Sequence, residues 1–240
     1  LATLESKLMK MTSRSHRGLV RIRNEDAVWF DSDLGVAVLA DGMGGLMGGQ
    51  MASNVAIDSF KAHFTSTSLW SEDSITTAIE NADGAVRRQS ELMEMNAQMG
   101  TTVVLWCLVD TSWLVAHVGD SRLYHFNNNA LTQITQDHSL ARRMLDSGEV
   151  EEGVDVHKHY GHVLTQGLGL RTPLAPSVHE SGALCGRYLL CSDGLSDQLA
   201  HEHMQRLMAE ADLETCADEL LQCSLEAGGK DNVSLILIEV

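Results

Sequence analysis

The chain has 240 residues, 44% of them hydrophobic, enough for one large domain with a substantial buried core. Its 33 acidic and 17 basic residues leave a formal charge of −16, which argues against nucleic acid or an anionic membrane surface as partner and suits cation binding better. Proline stands only at Pro173 and Pro176, no repeat or low-complexity stretch marks a linker, and the longest apolar run, Val103 to Val109, is far too short to span a bilayer.

Residues 1–8 lack the apolar region of a signal peptide and read as a remnant ahead of a single domain over 9–240, with Met9 or Met11 as a natural start. Strand signals then follow at Ala27 to Phe30 and Gly35 to Ala40, rich in β-branched, aromatic or apolar residues. Two helices come next. Ala52, Val55, Ala56, Ser59, Phe60 and His63 form one stripe over Gln50 to Phe64, and Ile75, Ile79, Ala82 and Val86 form another from Glu72 to about Met95. Thr101 to Val109 and Trp113 to Val118, joined by the polar turn Asp110-Thr111-Ser112, predict an antiparallel hairpin, and Arg122 to Phe126 adds a strand. Between Gln136 and Gly169 the chain is polar and glycine-rich apart from a helix over Leu140 to Asp146, so a flap of about 140–163 is expected at the edge of a site. Tyr188 to Cys191, helices over Glu202 to Glu210 and Leu213 to Ala227 with Gly228 as C′ residue, and a last strand over Val233 to Val240 complete the chain. Runs of strands alternating with pairs of helices point to packed antiparallel sheets covered outside by helices.

Three acidic turns, Asp41-Gly42, Asp193-Gly194 and Asp231-Asn232, each sit at one end of an apolar run. Carboxylates gathered at a common sheet edge raise one another's pKa unless cations lie between them. Oxygen donors favour Mg²⁺ or Mn²⁺, and two such ions clamp the attacking and leaving oxygens of a phosphoryl displacement. The five cysteines, odd in number and mostly in apolar segments, read as reduced core residues of a cytoplasmic protein.

Seven motifs extend this reading: GLVRIRNEDA (Gly18 to Ala27), LADGMGG (Leu39 to Gly45), MGTT (Met99 to Thr102), VGDSRLY (Val118 to Tyr124), LTQITQDHS (Leu131 to Ser139), CSDGLSD (Cys191 to Asp197) and GGKDNVS (Gly228 to Ser234). In this order they resemble the protein phosphatase 2C family, the PPM-type metal-dependent serine/threonine phosphatases, and in particular its compact bacterial members. The resemblance implies an α+β fold, a four-layer αββα sandwich with two central antiparallel sheets flanked by helix pairs. It implies two Mn²⁺ or Mg²⁺ ions, with Asp41 bridging them, the Gly42 carbonyl on the second, and Asp193 and Asp231 completing the first. A third, weaker ion would lie at Asp120. A hydroxide bridging the metals would attack phosphorus directly, with no phosphoenzyme. Arg21 would hold the phosphate in a bidentate fork, Glu25 and Asp26 would reach metal-bound waters, and Asn232 would orient a water. The implied partners are phosphoserine and phosphothreonine proteins and an opposing kinase, with no nucleic acid, no membrane and a monomeric state.

Met43 departs from the family's eukaryotic pattern, where a histidine proposed to protonate the leaving group often stands, while Gln50 and Gln166-Gly167 replace a more usual glutamate and Arg-Ala pair. Other chemistries fit poorly. At the offset where a cysteine-dependent phosphatase carries its arginine, the five cysteines are followed by Trp113, Cys191, Asp197, Gln222 and Gly229. Gly229-Lys230 lacks the rest of a P-loop, and Asp31-Ser32-Asp33 has Gly42 where a calcium loop needs glutamate. His157, His159 and His162 without nearby cysteines read as flap surface, not a zinc site, and Met43, Met47 and Met51 as packing or a flexible rim. Two alternatives stay open: a catalytically silent phosphatase-like binding or regulatory module, and a hydrolase of small phosphate esters.

Overall fold

The computed structural model describes residues 9–44, 47–66, 70–94, 99–109, 112–148, 150, 155–181 and 184–240. In chain order its elements are β1 (Lys10–His16), β2 (Ala27–Asp31), β3 (Val36–Ala40), β4 (Gly42–Met43), α1 (Gly48–Ser66), α2 (Glu72–Leu92), β5 (Gly100–Thr101), β6 (Val103–Val109), β7 (Ser112–Val118), β8 (Arg122–Asn127), β9 (Ala130–Gln133), α3 (Leu140–Ser147), α4 (Val156–Tyr160), β10 (Ser177–Ser181), β11 (Arg187–Cys191), α5 (Asp193–Ser196), α6 (His201–Leu207), α7 (Leu213–Glu226) and β12 (Val233–Glu239).

Two five-stranded antiparallel sheets form the centre, ordered β1-β12-β11-β8-β9 and β10-β7-β6-β3-β2. Period-two alternation decides which side chains go where. In β3, Ala37 and Leu39 meet Tyr188, Leu190, Ile236 and Ile238 between the sheets, while Val36, Val38 and Ala40 pack outward on Phe60, Ile79 and Val86 of α1 and α2. Leu189, Cys191, Leu235 and Leu237 face outward in the same way onto Cys216 and Leu220 of α7. Central strands such as β3 and β11 are therefore buried on both faces, and the layers follow αββα order. Fully burying one such aliphatic side chain contributes roughly 1.5–3 kcal/mol before entropy is counted.

Local signals set the helix ends. Ser71 and Ser74 exchange side-chain bonds with each other's amides in a capping box that starts α2. Gly228, at the expected C′ position, and Gly229, both at positive φ, return their amides to Leu225 and Ser224 and close α7 in a Schellman pattern. The expected fourth helix ends earlier than its pattern, at Leu207. Residue 95 and the turn residues 110 and 111 lie outside the described residues, although Val109 pairs with Ser112 as the hairpin requires. In the flap, α3 is joined by a second short helix, α4, and the base is pinned by the Leu140 amide on the Val163 carbonyl at 2.7 Å.

Candidate active site

Strand register brings the predicted acidic positions to one edge of the sandwich. Leu39 pairs with Val104, and Val103 with Val118, so the residues after β3 and β7, Asp41 and Asp120, leave their sheet at the same end. Cys191 pairs with both Leu235 and Arg122, which places Asp193 after β11, Asp231 before β12 and the Gly119-Asp120-Ser121 turn before β8 at the matching end of the other sheet. A cleft of about 1070 Å³ opens there, lined by Arg21, Glu25, Asp41, Gly42, Asp120, Asp193, Asp231 and Asn232 among others. Asp26, 7% exposed, is the one predicted site residue that does not line it.

Main-chain bonds hold these residues with little freedom. The Asp41 carbonyl accepts the Thr102 amide and the Thr101 hydroxyl, each at 2.8 Å, and the Asp41 amide donates to the Thr102 hydroxyl at 3.1 Å. That hydroxyl also meets Ser121 Oγ at 2.7 Å, tying the turn of Asp120 to the turn of Asp41. On its other side the Asp120 turn is clamped by His138, whose amide donates to the Gly119 carbonyl and whose Nδ1 accepts the Gly119 amide. At Gly42 a Cβ would collide with the carbonyls of Gly49 and Glu25, so only glycine lets α1 approach this turn.

Asn232 makes bonds that its expected role did not include. Its Oδ1 accepts the Glu25 amide at 2.8 Å, and its Nδ2 donates to the carbonyls of Arg17 and Arg23 at 2.9 and 2.8 Å. The side chain is thus occupied in clamping the segment that carries Arg21 and Glu25, and its amide is not directed at solvent. Asp26 is likewise built into the floor, where Ser192 Oγ donates to Oδ2 at 2.9 Å while Oδ1 is buried with no hydrogen-bond partner. The roles of Thr101, Thr102, Ser121, Ser192 and His138 were not legible beforehand; the only signal was their place inside the motifs.

The electrostatics are those of uncompensated negative charge. Burial first, then Asp26, Asp193, Asp120 and Asp231, pushes the Asp41 carboxyl well above the carboxylate range. Burial, then the Asp120 and Asp197 charges, raises Asp193 to about 8, and burial followed by Asp137 raises Asp120 to about 7. Asp26 rises to about 6 through burial, opposed by hydrogen bonds to Ser234 and Ser192. The chain itself places Arg21 at Asp231, Nη2 to Oδ2 at 2.5 Å, which raises the guanidinium further.

The orphaned Oδ1 of Asp26 and the raised carboxyls fit a site completed by cations. Among the described residues no group of three or more His, Cys, Asp or Glu side chains is placed to hold a metal ion by itself. The carboxylates surround an open cleft instead, which suits hydrated hard ions that keep several waters. His157 and His159 lie exposed on α4 as expected of a polar flap, whereas His162 lines the cleft. Gln166 accepts the Ala175 amide through its Oε1 at 2.8 Å, a loop contact behind the flap.

The sandwich and the acidic cleft between its sheets define a class, and the chain belongs to it: the protein phosphatase 2C family, whose model matches residues 24–144. The chain is 31% identical over 236 residues to the serine/threonine protein phosphatase PstP of Mycobacterium tuberculosis, an alignment covering 97% of this chain and 45% of that protein. It therefore spans about half the length of that relative. It is also 31% identical over 240 residues to the serine/threonine phosphatase stp of Listeria welshimeri, covering 94% of each. The crystal structure of the PstP catalytic domain in complex with two manganese ions is similar with a TM-score of 0.84 at 29% identity, covering 96% of this chain and 97% of that one.

Proposed function

We propose that this chain is a metal-dependent phosphoprotein phosphatase acting on phosphoserine and phosphothreonine. The observation that carries it is the convergence of Asp41, Asp120, Asp193 and Asp231, from separate turns, on one cleft that also holds Arg21. In this reading Asp41, Asp193 and Asp231, with the Gly42 carbonyl, would hold two Mn²⁺ or Mg²⁺ ions, and Asp120 would serve a third. The two-manganese complex of PstP supports the pair. When bound, the ions would supply Lewis-acid activation of a solvent nucleophile for direct attack on phosphorus, so that no phosphoenzyme forms.

The chain's own residues do the rest. Arg21, released from Asp231, grips the phosphate oxygens and stabilises charge developing on the transferring group. Glu25 lines the cleft beside it and would reach metal-bound water, as would Asp26, which is buried close to Asp41. Met43, also in the cleft lining, has no proton to give, so a metal-bound water or a residue supplied elsewhere would have to protonate the leaving oxygen. Substrate phosphoproteins and an opposing kinase belong to this proposal, as do a single domain over 9–240 and a monomeric state. The unpaired cysteines support a reducing, cytoplasmic setting; among the described residues no helix is long and apolar enough to cross a membrane.

The test is phosphate release from a phosphothreonine peptide across a Mn²⁺ and Mg²⁺ titration. Activity that appears with metal and vanishes with chelator is expected. A folded protein, verified by circular dichroism, that stays silent over the whole range would sink the proposal.

A further inference from the structure

Three large aliphatic side chains next to Arg21 stand in solvent: Leu19 is 62% exposed, Val20 67% and Ile22 88%. They do not belong to a loose loop. The Leu19 amide donates to the Gly229 carbonyl at 2.7 Å, and Asn232 grips the carbonyls on either side of the segment. A held segment that presents aliphatic groups to water is the mark of an interaction surface. Val20 and Ile22 line the same cleft as Arg21, and Met43, Val163, Leu164 and Leu170 extend its apolar lining.

We infer that this cleft selects phosphopeptides carrying a bulky apolar residue immediately beside the phosphorylated one. The inference rests on the phosphatase reading and adds the substrate class to it. With the phosphate held at Arg21, Val20 and Ile22 lie one residue to either side. An extended peptide advances about 3.3 Å per residue, so its neighbouring positions fall within reach of those side chains. A polar or glycine neighbour leaves Ile22 in water, whereas a leucine or isoleucine removes both partners from water together.

Charge points to the same occupant. The chain carries −16 overall, which repels a second copy of itself and an anionic lipid surface, while Arg21 and Arg23 line this cleft. Once Arg21 leaves Asp231, its guanidinium complements a phosphate dianion amid the cleft's carboxylates.

The experiment compares two phosphothreonine peptides that differ only in leucine or glycine on both sides of the phosphoresidue. Wild type, Val20→Ser and Ile22→Ser are assayed, with p-nitrophenyl phosphate as a reference substrate for wild type. We expect wild type to favour the leucine peptide about tenfold in kcat/KM, and the Ile22→Ser ratio to collapse toward one. Both substitutions are at exposed sites, and thermal melts of each variant confirm folding. Wild type that turns over p-nitrophenyl phosphate but treats both peptides alike overturns this inference and leaves the phosphatase reading standing. A ratio that survives both substitutions overturns it too. If sedimentation shows that wild type self-associates and Ile22→Ser does not, the patch is a contact between copies and the inference fails. Wild type inactive on all three substrates overturns the phosphatase reading together with this one.

Discussion

Replacing Asn232 by alanine tests whether this residue clamps the Arg21 segment or orients a water. Its side chain makes three bonds to main-chain atoms, at 2.8, 2.9 and 2.8 Å, and it is 6% exposed. Each bond contributes a net ~1 kcal/mol, so losing all three costs about 3 kcal/mol. With an m-value of about 3 kcal/mol per molar urea for a chain of this size, the unfolding midpoint falls by about 1 M. Because the freed segment carries Arg21 and Glu25, KM for a phosphopeptide rises as well as kcat falling. Asn232→Asp sharpens the test, since it keeps the shape but turns an acceptor oxygen toward the Arg17 and Arg23 carbonyls, and it should be at least as destabilising. The measurements are urea denaturation followed by circular dichroism, with steady-state kinetics beside it. An alanine variant with an unchanged midpoint and a lowered kcat alone would refute the clamp and restore the water-orienting role.

Asp193→Asn removes one negative charge from a crowded floor, so it should weaken Mn²⁺ binding in calorimetry and lower turnover by more than about tenfold, while the metal-free melting temperature holds or rises. Near-normal turnover at limiting metal would show that Asp193 is not a ligand. Thr102→Val keeps the volume but orphans the Asp41 amide and Ser121 Oγ, with an expected cost of about 2 kcal/mol in denaturant unfolding and weaker metal binding; an unchanged metal affinity would separate this hydroxyl from the site. The carboxyls of Asp26, Asp120 and Asp193, raised to about 6, 7 and 8, bind protons more tightly folded than unfolded. Their stabilising contribution is complete below the unfolded value near 3.8 and is lost as pH rises through 6 to 8, so metal-free melting temperature should fall across that window and Mn²⁺ should flatten the dependence. A flat profile in chelator would refute this.

The sequence pattern carried the buried strands and the helix stripes because they hold apolar side chains at regular spacing, as in Val36–Ala40 and Arg187–Cys191. It missed β1, whose KMTSRSH buries only Thr12 and joins its sheet through main-chain bonds to β12. Two other missed strands, β9 and β10, also lie at sheet edges, where one side lacks a neighbour and apolar content is not demanded. The acidic turns were legible because charge interrupting an apolar run has few structural uses. The main-chain clamp of Asn232 was hidden for a different reason. Its partners are backbone carbonyls of Arg17 and Arg23, more than two hundred positions away, and a carbonyl leaves no trace in residue identity. The exposure of Val20 and Ile22 was equally hidden, since an aliphatic residue in a loop reads as core until coordinates show it is not.

The pairing of β1 with β12 has a bearing on how this unit can be wired into a larger polypeptide. Lys10 lies opposite Glu239 at one end of the ladder, while His16 lies opposite Val233 beside the cleft. Six steps of strand, about 20 Å, separate the two ends. Lys10 and Glu239 thus sit side by side at the rim remote from the cleft, so a tether or a neighbouring module attached beside either position would leave the mouth open.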